Sequence, residues 1–219
     1  MIGIIVGMAA EAHIARVLGC PIEIGGGTPP GSEVAAEKLV AQGASAIISF
    51  GLAGGLDPAV KAGDLIVPIA VVEHGQTYQT DAVLSDALGG WFGGLLLAGQ
   101  AIAADSPAKA FLWRATRACA IDLESGAVAR VAARHGIPFA VLRAVCDPAG
   151  RALPPAAILA LDEREGRGTI GLLRVARSLL VTPGQLGALI ALARDAKRAR
   201  AALVGRVGDI VRHGGLMML

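Results

Sequence analysis

Short, uninterrupted apolar runs recur along this chain with helical stretches between them, and no other feature limits its folding as strongly. Ile2 to Val6 reads as a buried strand, followed by helical patterns at 9–18 and at 31–43, the latter with Glu33, Glu37, Lys38 and Gln42 on its wet side. Strand signals return at 45–50, 64–72, about 100–104, 117–122 and 138–146. Helical stretches fall at 106–115, 124–135, 154–162, 167–179 and 183–203. Such alternation predicts an α/β protein with three layers, a central mixed and largely parallel sheet flanked by helices. At 219 residues one domain spanning 1–219 accommodates all of it. No internal repeat is visible, and 73–99, with "EHGQTYQTD" and "LGGWFGGLLLAG", follows neither period.

Several classes of function are disfavoured by composition. The net charge is +2 and the arginines are scattered, which predicts neither a nucleic-acid groove nor a polybasic membrane patch. Hydrophobic residues make up 54% of the chain, yet the runs at 95–98 and 186–193 are shorter than the roughly 20 residues a membrane span needs. The start "MIGIIVG" lacks basic residues and soon meets Glu11, as a buried strand does and a signal peptide does not. Cys20, Cys119 and Cys146 are odd in number and widely spaced, which fits reduced thiols in the cytoplasm and no metal site.

In open α/β sheets ligands bind beyond the carboxyl ends of the strands. Residues just after each predicted strand therefore belong together: "GMAAE" with Glu11, "GLAGG" with Gly51, Gly54 and Gly55, "AIDLESGA" with Glu124, and "LRAVCDPAG" with Arg143 and Asp147. Taken singly, Glu11 and Glu124 read equally well as first-turn or capping acids, and Asp147 before Pro148 as a turn residue. The glycines fit either a tight turn or a close approach to the backbone. Recurrence of acids at successive strand ends points to one rim. Asp57, Lys61 and Asp64 read as solvent-facing turn residues.

Three blocks, "GIIVGMAAE", "SFGLAGGLDPAVKAGDLIVP" and "AIDLESGAVARVAARHGIPFAVLRAVCDPAG", resemble the signatures of the superfamily of purine nucleoside phosphorylases and methylthioadenosine/S-adenosylhomocysteine nucleosidases. The resemblance implies cleavage of the N9–C1′ bond of an adenine nucleoside, through an oxocarbenium-like sugar. It assigns Asp147 to protonation of N7, with a pKa raised by burial, Glu124 to the ribose 2′-hydroxyl, and Glu11 to the attacking water. Leu123 takes the place of a methionine that packs on ribose and base, Gly51, Gly54 and Gly55 let the backbone pass beneath the ribose, and Leu52, Ala53, Gly54, Arg143 and Cys146 complete the substrate-binding candidates. For phosphorolysis the anion candidates are Gly25, Gly26 and Gly27, the turn from Gly51 to Gly55, and Arg143. Leu52 and Cys146 each stand where relatives commonly carry serine; Cys146 reads as a small buried residue. Water and phosphate both remain open as nucleophile, with inorganic phosphate as co-substrate in the second case and no other cofactor.

The tail, with "ALPPAAILAL" and "VTPGQLGALIALARDAKRARAAL", resembles the hopanoid-associated branch, which acts on adenosylhopane. A hairpin that relatives insert after the first helix is missing, since "GCPIEIGGGTPPG" is too short for two full strands. An open 5′ side follows, with Trp91, Phe92 and Leu95 to Leu97 either as an apolar path for a lipid substituent or as core or subunit interface. Alternatives are a salvage nucleosidase for methylthioadenosine or S-adenosylhomocysteine, and a silent nucleoside-binding subunit, against which the intact acid trio argues. The resemblance further implies a homodimer or higher homo-oligomer that is cytoplasmic, with at most peripheral membrane contact through a lipid substrate.

Overall fold

A computed structural model of the chain describes residues 1–90, 92, 94–155, 157 and 183–216. In order they form β1 (Ile2–Val6), α1 (Ala9–Ala15), β2 (Ile22–Ile24), α2 (Pro29–Ala41), β3 (Ala46–Gly55), β4 (Leu65–Ile66), β5 (Ala70–Glu73), β6 (Gln76–Gln79), α3 (Ala82–Ala87), β7 (Leu95–Ala98), α4 (Ser106–Thr116), β8 (Ala118–Asp122), α5 (Ser125–His135), β9 (Phe139–Asp147) and α6 (Leu186–Arg212).

The nine strands make one mixed sheet. β3 is its hinge. Its first residues pair in parallel with β1, Ile2 opposite Ala46 and Val6 opposite Phe50. Its other edge pairs in parallel with β9. A register shift between Ala53 and Gly54 then turns the strand, and Gly54 and Gly55 pair antiparallel with Ile121 and Ala120 of β8. From there the order continues β7, β5, β6. Because β1, β3 and β9 run the same way, Gly7, the stretch 51–55 and Asp147 arrive at one end of the sheet.

The unbroken burial of β1, β8 and much of β3 and β9 follows from helices on both faces, so side chains of either parity reach a core. Ile4, Val6, Ile48, Phe50 and Leu142 pack with Ala199, Leu203, Val207 and Ile210 of α6. Their neighbours of opposite parity, Ile5, Ile47 and Val141, pack with Leu39 of α2 and Val128 and Val131 of α5. Helix starts are written locally. The Thr28 hydroxyl accepts from the Gly31 amide at 3.3 Å ahead of Pro29 and Pro30, and Asp105 accepts from the Ala108 amide at 2.7 Å.

Some boundaries differ from expectation. The strand predicted at about 100–104 lies at 95–98, and 64–72 divides into β4 and β5. The illegible stretch contains β6 and α3, and the run "PIEI" holds the short parallel strand β2. The helix predicted at 9–18 ends as a 3-10 turn stopped by Gly19 at φ 72°, while the last helix continues to Arg212. The predicted helix at 167–179, most of that at 154–162, and Trp91 lie outside the described residues. Leu95 to Leu97 form a sheet strand: Leu96 is fully buried, and Leu95 and Leu97 pack with Leu56, Ile121, Leu112 and Trp113. Of the two readings left open for Leu95 to Leu97, this packing is that of core, while Phe92 is exposed.

Candidate active site

Glu11 sits in the first turn of α1 and is buried. One carboxylate oxygen accepts from the Met8 amide at 2.9 Å, which is the capping role that its position alone allows. The other accepts from the Leu52 amide at 2.9 Å, 41 positions away, so the same side chain ties α1 to the end of β3. Glu124 precedes α5 but does not cap it. Asp122 does so, accepting from the Ser125 amide at 3.1 Å and from the Ser125 hydroxyl. The Glu124 carboxylate turns instead to Arg143, whose Nη2 lies 3.0 Å from Oε2.

Arg143 is 1% exposed. Its Nε lies 2.6 Å from Asp122 Oδ2, and its Nη2 donates to the hydroxyls of Ser49 at 2.7 Å and Ser125 at 3.3 Å. Burial works against its charge, but Asp122, Glu124 and Glu11 outweigh that and raise its pKa. Its Nη1 is buried without a hydrogen-bond partner among the described residues. The guanidinium is therefore enclosed by carboxylates inside the protein. Among the described residues it is Asp122 and Glu124 that its guanidinium pairs with. Burial pushes the Glu124 carboxyl up; Arg143 pulls it down, Asp122 and Glu11 push it up further, and its pKa reaches about 7.

Glycines lie directly under these groups. A Cβ on Gly7 would fall 2.7 Å from Glu124 Oε1 and 3.2 Å from Glu11 Oε2. One on Gly51 would fall 2.5 Å from Arg143 Nη1 and 2.6 Å from Glu11 Oε1, and one on Gly54 would fall 3.2 Å from Asp147 Oδ2. The glycine cluster was expected to make room for a ligand. What it makes room for in the first place are the acids themselves, because a methyl group at any of these points would displace a carboxylate.

Asp147, at the end of β9, is buried beside Gly54. Its Oδ2 accepts from Lys109 Nζ at 2.6 Å, and its Oδ1 from the Cys146 thiol at 3.1 Å. Side-chain contacts of this kind are not those of a simple turn aspartate. A fully buried ammonium is thus the strongest neighbour of the carboxyl, where burial alone was expected. The Cys146 thiol is pushed well up by burial and by the charge of Asp147, so it stays protonated and unreactive.

Leu123 is half-buried in the turn before Glu124; Leu52 is half-buried and Ala53 buried. Gly26 and Gly27 adopt left-handed φ of 70° and 69°. Gly27 reaches the cluster, its Cβ position lying 4.0 Å from Glu124 Oε1, whereas the Gly25 amide is taken by the Val6 carbonyl at 2.8 Å. Asp57 and Asp64 accept from nearby amides in surface turns. A cavity of about 590 Å³ opens at the opposite end of the strands, lined by Met1, Cys20, Ala46, Asp81 and Pro138 among others. It has none of the buried acids, and Asp81 there caps α3, so the chemistry lies at the other end.

Lys109, Asp122, Ser49 and Ser125 were not anticipated. Asp122 had a signal, two positions before Glu124 at the predicted end of a strand. Lys109 had none, since its partner lies 38 positions away.

Fold and site together define a class: an α/β protein with a buried acid–arginine cluster at the carboxyl ends of its parallel strands. The phosphorylase superfamily model matches residues 19–87 and 91–179, and the chain belongs to that superfamily. It is 30% identical over 131 residues to a 5′-methylthioadenosine/S-adenosylhomocysteine nucleosidase of Geobacillus kaustophilus, covering 48% of this chain and 56% of the relative. To the enzyme of that name from Halalkalibacterium halodurans it is 32% identical over 133 residues, covering 48% and 57%. The chain spans about half the length of these curated relatives. Among solved structures it is similar to the 5′-methylthioadenosine/S-adenosylhomocysteine nucleosidase of Helicobacter pylori, with a TM-score of 0.71 and 16% identity over 97% of each chain. It also resembles futalosine hydrolase of the same organism, with a TM-score of 0.63 and 19% identity over 82% of this chain and 96% of that one. At those identities the likeness establishes the fold. Among the described residues no helix is long and apolar enough to cross a membrane.

Proposed function

We propose that this chain hydrolyses the N-glycosidic bond of an adenine nucleoside, releasing adenine and a free ribosyl product. The observation that carries this reading is the cluster of Glu11, Glu124 and Arg143 over Gly7 and Gly51, with Asp147 of β9 beside Gly54 of β3. Glu124 accepts a hydrogen bond from the ribose 2′-hydroxyl, a contact that strengthens as the sugar becomes cationic. Asp147 gives a proton to N7 as the bonding pair moves to the base.

Charge favours water as the nucleophile. Glu11, Glu124 and Asp122 surround one guanidinium, so a phosphate dianion would enter an already negative site, and Leu52 offers it no hydroxyl. A neutral water meets no such cost. Arg143 Nη1, without a hydrogen-bond partner among the described residues, and Glu11 Oε1 both border Gly51, a donor and an acceptor suited to orienting an attacking water.

For the 5′ group we propose the adenosyl-lipid of the hopanoid branch, supported by the tail sequence and by the short β2 and glycine turn in place of a longer hairpin. The likeness to 5′-methylthioadenosine/S-adenosylhomocysteine nucleosidases favours a second reading, a salvage nucleosidase for methylthioadenosine or S-adenosylhomocysteine. Adenine release from methylthioadenosine and from a 5′-alkyl adenosine surrogate, measured side by side, separates the two. Asp147→Asn is expected to fold and to lose about 10² to 10⁴ in rate on the preferred substrate. Unchanged release by that variant, or no release by the wild type from either compound, overturns the reading.

A further inference from the structure

Lys109 projects from α4, is fully buried, and places its ammonium among four oxygens. These are Asp147 Oδ2 at 2.6 Å and the main-chain carbonyls of Asp147 at 3.0 Å, Pro148 at 3.3 Å and Arg151 at 3.1 Å. A buried ammonium is costly unless paired and fully hydrogen-bonded, and a helix–sheet contact needs no such group. An apolar side chain would fill the same space more cheaply. The residues it holds are those carrying the proposed proton donor and the turn that follows it.

We propose that Lys109 is the positioning residue for Asp147 in the reaction described above, on which this inference rests. When the nucleoside binds, the Asp147 carboxylate takes a proton from solvent; as the N9–C1′ bond breaks, the electron pair goes to the base and that proton goes to N7. A carboxylate is left behind. The Lys109 ammonium already stands against the oxygen where that negative charge develops, and being fixed by three carbonyls it needs no rearrangement to stabilise it. With Oδ2 held by Lys109, Oδ1 carries, among the described residues, only the weak thiol donor of Cys146.

The test replaces Lys109 by Gln, which keeps a donor for the carbonyls without the charge, and by Met, each alone and with Asp147→Asn. Adenine release from the substrate that the wild type prefers is followed, with circular dichroism as the check on folding. Should the Met variant not fold, the Gln variant is the one read. Lys109→Gln is expected to lower kcat by about 10² while KM stays within about threefold, because the lost interaction is realised as the proton moves. The double variant is expected to be no slower than Asp147→Asn alone, since Lys109 acts through Asp147. The inference is overturned by a kcat near wild type, by a KM that rises in step with the loss, or by a double variant that loses the product of the two single factors. A wild type inactive on every adenine nucleoside would instead refute the proposed function, which keeps the two failures apart.

Discussion

Glu124 illustrates how one carboxylate is kept poised inside a protein. Burial and the charges of Asp122 and Glu11 favour its protonated form, Arg143 favours the ionised one, and the balance leaves it titrating at about 7. If ionised Glu124 grips the ribose, kcat/KM is expected to rise with pH through about 7, and Glu124→Gln to flatten that limb while lowering turnover about 10²-fold. A pH–rate profile of both proteins checks it. Stability must move the opposite way. Unfolded, the group returns to its ordinary value of 4.5, so between 4.5 and about 7 the folded chain binds the proton more tightly. Wild type loses that advantage as pH rises through this window, and Gln, which does not titrate, does not. The melting temperature of Glu124→Gln relative to wild type is therefore expected to climb from pH 5 to pH 8. At this scale the acids were legible because each follows a strand. Lys109 was not, since a buried ion pair is a property of two distant residues and leaves no periodic trace; Asp122 was passed over although it ends a predicted strand two positions before Glu124.

Among the elements, β3 decides the geometry. It touches β1, β9 and β8 in succession, and the bend at Ala53 and Gly54 brings the last of these in from the opposite direction. Alternating apolar runs made the parallel half predictable, including β1, β3 and β9. Strand β7 was misplaced because "LLLAGQAIAAD" offers two apolar runs, and sheet pairing with β5 and β8 selects the first. The tail was legible as helix, but its link to the site was not. Arg151, in the turn after Asp147, donates to buried Asp195 of α6 from Nε at 3.0 Å and from Nη2 at 2.8 Å. Lys109 and Asp195 thus hold that turn from two sides. Arg151→Ala strands a buried carboxylate whose remaining partner among the described residues, Arg198, is largely exposed. A stability loss of about 1–2 kcal/mol is expected. Thermal melting would show it as roughly 2–8 °C, and an unchanged midpoint would count against the tie.

At the scale of the molecule, two charge clusters stand apart among the described residues. The network of Glu33, Glu37, Glu73, Arg130, Arg134 and His135 joins α2, α5 and β5. Glu11, Asp122, Glu124 and Arg143 form a separate buried group at the carboxyl ends of the strands, with more acids than bases. The proposal of a neutral nucleophile attacking a developing cation, in place of a phosphate dianion, rests on that excess. The central claim is therefore tested most directly by incubating the preferred adenine nucleoside with wild type and with Glu11→Gln in phosphate-free buffer, and measuring adenine and reducing sugar together. Equimolar adenine and free sugar from the wild type, with a loss of about 10² or more in Glu11→Gln, is the predicted result. Release that begins only when phosphate is added and yields a sugar 1-phosphate, or equal release by both proteins, would contradict it.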